Sequence, residues 1–430
     1  MKIKPTSEKA KSASKVSSRS HLGDTSCVPE LRFPHFTTPW ETTPLSRLLR
    51  FQNGVNAPAE KYGRGVKFVS VSDIIQNDYV TYDNIVGSVD IDDATLERYS
   101  VENGDMVFQR SSETVEDIGR ANVYLDNRTA TFGGFVIRGK KIGEYNPYFF
   151  KCLLYSNEAR RKVIRVGAGA QHYNIGQEAL SQIYLHFPEM AEQRRIADLL
   201  LLVSNRIDAQ RKLVELLKKH KRGVIEQIFG RRLDMGKDAE KWDIVELRDL
   251  FSKVARRNRG GKVKNVITNS AEFGLIPQRD FFDKSIAVDG NTDGYYVIRT
   301  GDFVYNPRKS TTAPFGPFNR YTGTEDGIIS PLYTCLVPKG KANPEYLAWY
   351  FRSTAWHRYV YDNGSQGARH DRVNMTDDLL FGIPVLLPPI AVQERIADGL
   401  NAIDARWSSA NKVLAHLEKM KRGLLQQLFA

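Results

Sequence analysis

The chain has 430 residues, ample for two or more hydrophobic cores. It carries 62 Lys and Arg against 50 Asp and Glu, a net charge of +12 that favours an anionic partner, nucleic acid being the commonest. Cys27, Cys152 and Cys335 lie far apart with no C-x-x-C, which argues against a disulfide scaffold or structural zinc and fits a reducing cytoplasm, and no apolar run reaches the length of a membrane span.

Residues 1–28 read as a disordered basic tail, rich in Lys and Ser and without the apolar core of a secretory signal. Ordered structure is expected from Pro29. LSRLLRF (45–51) reads as a short helix or strand. VKFVSVSDII (66–75), VENGDMVFQR (101–110), ANVYLDN (121–127) and ATFGGFVIRG (130–139) read as strands, being rich in β-branched and aromatic residues and broken by Gly and Asn. Residues 145–166 turn helical, with Asn146-Pro147 marking the start. A glycine-rich turn, VGAGAQHYNIG (166–176), then leads through ALSQIYLHFP (179–188) into a long polar-apolar segment.

That segment, Pro188–Gly230, occurs again 200 positions later as Pro388–Ala430. QRRIAD (193–198) returns as QERIAD (393–398), and KRGVIEQIF (221–229) as KRGLLQQLF (421–429). After its opening proline each copy runs some 40 residues without another, and apolar positions recur at gaps of four and three. This is the seam of a heptad helix that wants a partner helix. The candidate pairing residues are Ile196, Leu200, Val203, Ile207 and Leu217 in the first copy. Ile396, Leu400, Ile403, Trp407, Leu414 and Leu417 are those of the second. A helix of this length spans roughly 60 Å at about 1.5 Å per residue, too long for one small domain. The economical solution is that the two copies pack on each other.

The order of the first half repeats after a polar linker at 231–241. Trp242 answers Trp40, GDFVYNPRKS (301–310) answers GDMVFQRSS (104–112), and NPEYLAWYF (343–351) answers NPYFFKCLL (146–154). NGSQGARHDRVNM (363–375) answers the glycine turn. The middles of the halves, about 52–100 and 252–300, hardly match. A shared frame therefore holds two differently specified surfaces, related by a pseudo-twofold axis if the helices pair antiparallel. Such an object suits two different short sequences on one duplex at a fixed separation.

Signatures of catalysis are weak. Asn146-Pro147-Tyr148-Phe149 is near the N-P-P-[YF] motif of amino-methyltransferases, but the second proline is missing and a helix start is the better reading. VIRVGAGAQ (163–171) lacks the third glycine and the βαβ context of a nucleotide loop. No G-K-[ST] and no [DE]-x-K occurs. Asp90, Asp92 and Asp93 read as a turn and helix cap, and the eight histidines show no metal spacing, so no metal or catalytic residue is assigned. The basic groups are the candidate DNA-binding residues, since Arg and Lys in Gly- or Ser-rich loops can approach phosphates and Arg can pair with guanine. They are Lys61, Arg64, Lys67, Arg110, Ser111, Arg160 and Arg161 in the first half. The second half offers Arg256, Arg257, Arg259, Lys262, Arg308, Lys309, Arg320, Arg369 and Arg372.

The repeated helix with its ERIAD and KRGLLQQLF ends, the LPPIAVQERIA entry and the two dissimilar globules resemble the specificity subunit of type I restriction-modification systems. The resemblance implies an α+β chain: a target-recognition domain at 29–188, a spacer helix at 189–230, a second recognition domain at 242–388 and a second spacer helix at 389–430. It implies that the helices form an antiparallel coiled coil acting as a ruler, and that each domain reads half of a bipartite, asymmetric site on double-stranded DNA. The implied partners are two methyltransferase subunits and, in a full complex, two ATP-driven restriction subunits. S-adenosylmethionine, Mg and ATP are then expected on those partners and no cofactor on this chain, which would be cytoplasmic and non-catalytic. The alternative is a self-contained methyltransferase or nuclease with its own recognition domains, against which the missing signatures weigh.

Overall fold

A computed structural model describes residues 29–167, 173–230, 242–280, 292–364 and 371–429. The basic tail, the 231–241 linker and Arg369 lie outside them. Two compact units result. One takes the described residues up to Asp208 together with those from His416 on, and the other spans Ala209–Ala415. The repeated segments are single helices, Met190–Phe229 and Ile390–Leu428. Each unit holds the beginning of one and the end of the other.

In the first unit a four-stranded antiparallel sheet runs in the order Leu49–Asn53, Val136–Lys141, Met106–Gln109, Ala121–Val123. Side chains alternate across it with the period of two that a strand imposes. Met106, Phe108 and Ile137 enter the core that contains the helix Pro147–Leu154, while Val107 and Val136 enter a second core. The second core belongs to a lobe of three strands, Ser88–Val89, Tyr62–Val69 and Thr131–Phe132, with short helices at Val71–Gln76 and Asp93–Arg98. The apolar run 66–75, which reads as one strand, thus breaks at Ser70. Ser70 and Asp73 form a capping box that turns the chain into a helix. Asp92 caps the helix that follows it, accepting from Thr95 N–H at 2.7 Å. Residues 145–166 form two helices, because the chain breaks at Tyr155-Ser156 and Ser156 caps the second.

The second unit repeats the sheet strand for strand: Phe251–Lys253, Thr334–Pro338, Phe303–Tyr305, Phe318–Arg320. Phe303, Tyr305 and Leu336 face one core, and Val304 and Cys335 face the other. The lobe differs. Here two antiparallel pairs stand in place of the three-stranded sheet, the hairpin Ile267–Ser270 with Gly274–Pro277 and the non-local pair Tyr296–Ile298 with Gly327–Ile329, linked by a bridge between Val266 and Ile328. The lobes contain the segments that hardly match in sequence.

The helices are tied to both globules by the same side chains. Gln193 is buried at the first helix entry; its amide donates to Pro188 O (2.8 Å) and its Oε1 accepts from Asn146 N–H (2.9 Å). Gln393 does the same with Pro388 O (2.7 Å) and Asn343 N–H (2.8 Å). Asn146 and Asn343 in turn cap the helices Pro147–Leu154 and Pro344–Phe351 with their side-chain oxygens. The far helix ends also plug into cores. Phe429 packs edge-on to Trp40 and against Phe149 in the first unit, and Phe229 against Tyr346 and Tyr350 in the second.

The helices pair antiparallel within each unit. In the second unit Gln210 Nε2 donates to Ala410 O (2.8 Å), and Lys221 Nζ reaches Asp404 (2.7 Å) and lies 4.1 Å from the Trp407 ring centre. In the first unit Lys421, the repeat counterpart of Lys221, donates to Ser204 Oγ (2.6 Å), the counterpart of Asp404. Ile196, Leu200, Val203, Ile207, Ile396 and Leu400 are buried. Leu217, Ile403, Trp407, Leu414 and Leu417 are half-buried. Trp407 is thus only half-buried, with the Lys221 ammonium over its ring face.

Lys421 also donates to Asp78 (2.9 Å), which accepts from Lys151 (2.9 Å) and from the Tyr148 hydroxyl (2.6 Å). Burial alone would push the Asp78 carboxyl up. Lys151, Lys421 and the Tyr148 hydroxyl outweigh it and hold the group well below the usual carboxylate range. A carboxyl with a depressed folded-state pKa stabilises the fold above its unfolded value, about 3.9, and loses that contribution as the pH falls below it. Asp78→Asn strands two ammonium groups, one of them buried, and is expected to cost about 3–5 kcal/mol at neutral pH. Thermal unfolding followed from pH 7 downward checks this: the gap between wild type and variant should close as the medium turns acid.

Candidate nucleic-acid interface

The strand after GDMVFQ leads to Ser111–Ser112, which pairs with Tyr173–Asn174 just beyond the glycine turn. Ser111 Oγ donates to Asn174 Oδ1 (2.5 Å). Arg110 is held beside it, its backbone N–H bonded to Phe135 O (2.8 Å) and its Nη1 to Gly134 O (3.2 Å). The second unit builds the same junction. Arg308 and Arg372 form an antiparallel bridge, Lys309 N–H donates to Asp371 O (2.8 Å), and Val373 N–H to Pro307 O (2.9 Å). A cleft of about 370 Å³ opens there, lined among others by Tyr305, Leu332, Thr334, Arg372 and Asn374. The junction thus brings together Arg110 and Ser111 in one unit and Arg308, Lys309 and Arg372 in the other.

The remaining basic residues divide by what they already bind. Lys61 is exposed, as is Arg64, which makes a 3.1 Å surface pair with Asp90 of the kind that contributes little to stability. Arg64 sits on a bulge between Gly63 and Gly65, both at positive φ. A Cβ at Gly65 would come within 2.5 Å of Val89 O, so only glycine lets this strand approach its neighbour. Lys67 is bonded to Ile85 O (2.7 Å) and half-buried. Arg160 straps two carbonyls, Glu116 (2.8 Å) and Ile118 (2.7 Å), and burial pushes its guanidinium pKa down. Arg161, next to it, is exposed and bonds Asn157 O within its own helix (3.2 Å).

In the second unit Arg256 pairs with the buried Asp302, and Arg320 with Glu345. Arg257 lies over the Tyr296 ring (3.7 Å) and donates to its hydroxyl (2.8 Å). Arg259 and Lys262 are exposed on a turn. The candidate cations left exposed are therefore Lys61, Arg64, Arg161, Arg259, Lys262 and Arg308, the last in a 3.6 Å surface pair with Asp371, while Arg372 is half-buried at the cleft. Arg160, Arg256 and Arg320 spend their charge inside the fold. Sequence reasoning could not separate these groups, because Glu116, Asp302 and Glu345 lie far along the chain from the arginines they meet.

Among the described residues no group of three or more His, Cys, Asp and Glu could hold a metal ion. Cys152 and Cys335 are buried, and burial pushes their thiols up to about 11 and about 12, so neither is a nucleophile at neutral pH. VIRV precedes the glycine turn as a helix, Asn157–Val166, and not as the strand that a nucleotide-binding loop follows. Among the described residues no helix is long and apolar enough to cross a membrane.

Two mixed α/β units, each holding an antiparallel pair of helix segments, resemble the fold of type I restriction-modification specificity subunits. The chain is 24% identical over 421 residues to a protein of Methanocaldococcus jannaschii named as the type I restriction enzyme MjaX specificity subunit, covering 90% of this chain and 92% of the relative. It is 21% identical over 427 residues to the type I restriction enzyme StySPI specificity subunit of Salmonella potsdam, covering 91% and 88%. Its fold matches the crystal structure of the type I restriction-modification S subunit of M. genitalium with a TM-score of 0.54 and 11% identity, over 94% of this chain and 99% of that one. No family model matches the chain. The resemblance read from the repeated helix thus extends through both globules.

Binding assays over a salt series separate the two sets of arginines. Arg259→Ala combined with Lys262→Ala should reduce the slope of log affinity against log salt by about 0.9 for each phosphate no longer neutralised. Arg256→Ala should leave that slope alone and lower the melting temperature, since it leaves Asp302 buried without its partner.

Proposed function

We propose that this chain is the DNA-recognition subunit of a type I restriction-modification complex. It reads one bipartite, asymmetric duplex site, each unit taking one half. The observation that carries this reading is a frame built twice, the same sheet order and the same helix ties, around two lobes of different topology. Identical frames would deliver two surfaces in equivalent poses, and different lobes would read different bases. The helix pair sets the distance between half-sites. Two methyltransferase subunits dock on the chain, and two ATP-driven restriction subunits join in the full complex. S-adenosylmethionine, Mg and ATP act on those partners, in the cytoplasm, and the chain itself is non-catalytic.

Methylome sequencing of a host carrying the system tests this directly. Exchanging residues 40–188 for those of a relative with another specificity should change one half of the modified motif and keep the other. Inserting seven residues near Gln210, with a matching seven near Ala410, preserves the heptad register and lengthens the helix pair by about 10 Å. The spacer should then grow by up to about three base pairs while both halves persist. A motif that changes in both halves on the exchange, or a spacer indifferent to the insertion in a folded protein, refutes the reading.

A further inference from the structure

Phe135 is the one exposed residue in the run 130–139; Ala130 through Gly134 and Val136 through Gly139 are buried, and Phe135 is 70% exposed. It rides on a tight turn closed by Val136 N–H donating to Gly133 O (2.8 Å). The backbone under it is fixed. A Cβ at Gly134 would fall 1.9 Å from Asn56 Oδ1, so Asn56 presses on bare backbone there. The Phe135 carbonyl is held by Arg110 N–H. The phenyl ring projects from an anchored turn into solvent.

The second unit carries the same turn. Sheet register equates Gly139 with Leu336, since they face Met106 and Phe303 respectively, and this equates Phe135 with Leu332. Tyr333 N–H donates to Ser330 O (3.1 Å), the counterpart of the Val136–Gly133 bond. Leu332 is 59% exposed and lines the cleft with Arg372 and Asn374. One position, occupied by different large apolar side chains, is thus bared twice, each time beside the strand junction that carries Arg110 and Ser111 or Arg308 and Arg372. An apolar ligand or a neighbouring apolar protein surface would not be met through such cations. A duplex would, because its phosphates engage the arginines while its base edges offer thymine methyls and stackable faces to an apolar side chain.

We infer that Phe135 and Leu332 are specificity-determining residues that contact bases, one in each half-site. This rests on the DNA-recognition reading above and adds the side chains through which it works. The difference between a flat aromatic ring and a branched aliphatic group at one position makes the two halves read different bases from the same pose. Being exposed, neither side chain is needed for the fold, so both can be truncated.

The experiment is selection of a random-sequence duplex pool by the full chain, followed by sequencing, for wild type, Phe135→Ala and Leu332→Ala. Phe135→Ala should blur one or two positions in one half of the enriched motif and weaken binding to the wild-type motif about tenfold. Leu332→Ala should do so in the other half. The salt slope should stay at its wild-type value in both, since every phosphate engaged by the wild type is still engaged. A wild-type chain that enriches a bipartite motif while both variants enrich the identical motif with equal affinity overturns this inference and leaves the recognition reading standing. A wild-type chain that enriches no motif overturns both. Loss of affinity spread evenly over all sequences, or weakened association with methyltransferase in place of an altered motif, also counts against a base contact.

Discussion

The larger hydrophobic core of each unit is closed by the end of a helix that begins elsewhere. Phe429 seals the core around Trp40 and Phe149, and Phe229 the one around Tyr346 and Tyr350. Burying a phenylalanine side chain contributes about 1.5–3 kcal/mol, so neither helix end can be displaced cheaply. At their beginnings the helices are fixed by Gln193 and Gln393, whose amides each satisfy a proline carbonyl and the N–H of a capping asparagine. Leaving such a buried group without its hydrogen bond costs about 1–3 kcal/mol. Each helix is thus fixed at its first turn in one unit and at its last in the other, and the lobes are free to diverge because none of these contacts involves them.

The repeat makes most of this legible in the sequence. Two copies at a spacing of 200 expose the helix seam, the Asn-Pro helix starts and the matched strands, because apolar periodicity and capping are local signals. What stayed hidden is what depends on remote partners. Lys221 and Lys421 stand in one motif, yet the first rests on Trp407 and Asp404 while the second reaches Ser204 and Asp78. Asp78 lies in the unmatched part of the first half, so no comparison of the copies could point to it. Glu192, fully buried against Arg32 at 2.7 Å, has Val392 as its counterpart. Here the copies differ by a charge, and only the fold explains why.

The candidate interface was legible at the level of segments and not of side chains. The basic stretches around 110 and 308 do pair with the last residues of the glycine-rich segments. Within them, charge alone cannot say whether an arginine faces water or carbonyls, and Arg160, Arg256 and Arg320 face inward. Phe135 and Leu332 are hidden for the opposite reason. In a sequence they look like ordinary strand hydrophobics, and only the turn that points them outward shows that folding does not use them.

The closure of the first core by Phe429 has a bearing on synthesis. Trp40 is translated roughly 390 residues before Phe429, so the first unit's core stays open until the second unit's residues have been made. The second unit needs only Ala209–Ala415, a contiguous stretch, and can be completed earlier. The half that is translated first is thus the half that matures last, and it waits with Trp40 and Phe149 incompletely covered. Contacts this distant in sequence close slowly, and exposed aromatics in the interval invite association with other chains. The antiparallel helix pair therefore sets an order of maturation as well as an architecture.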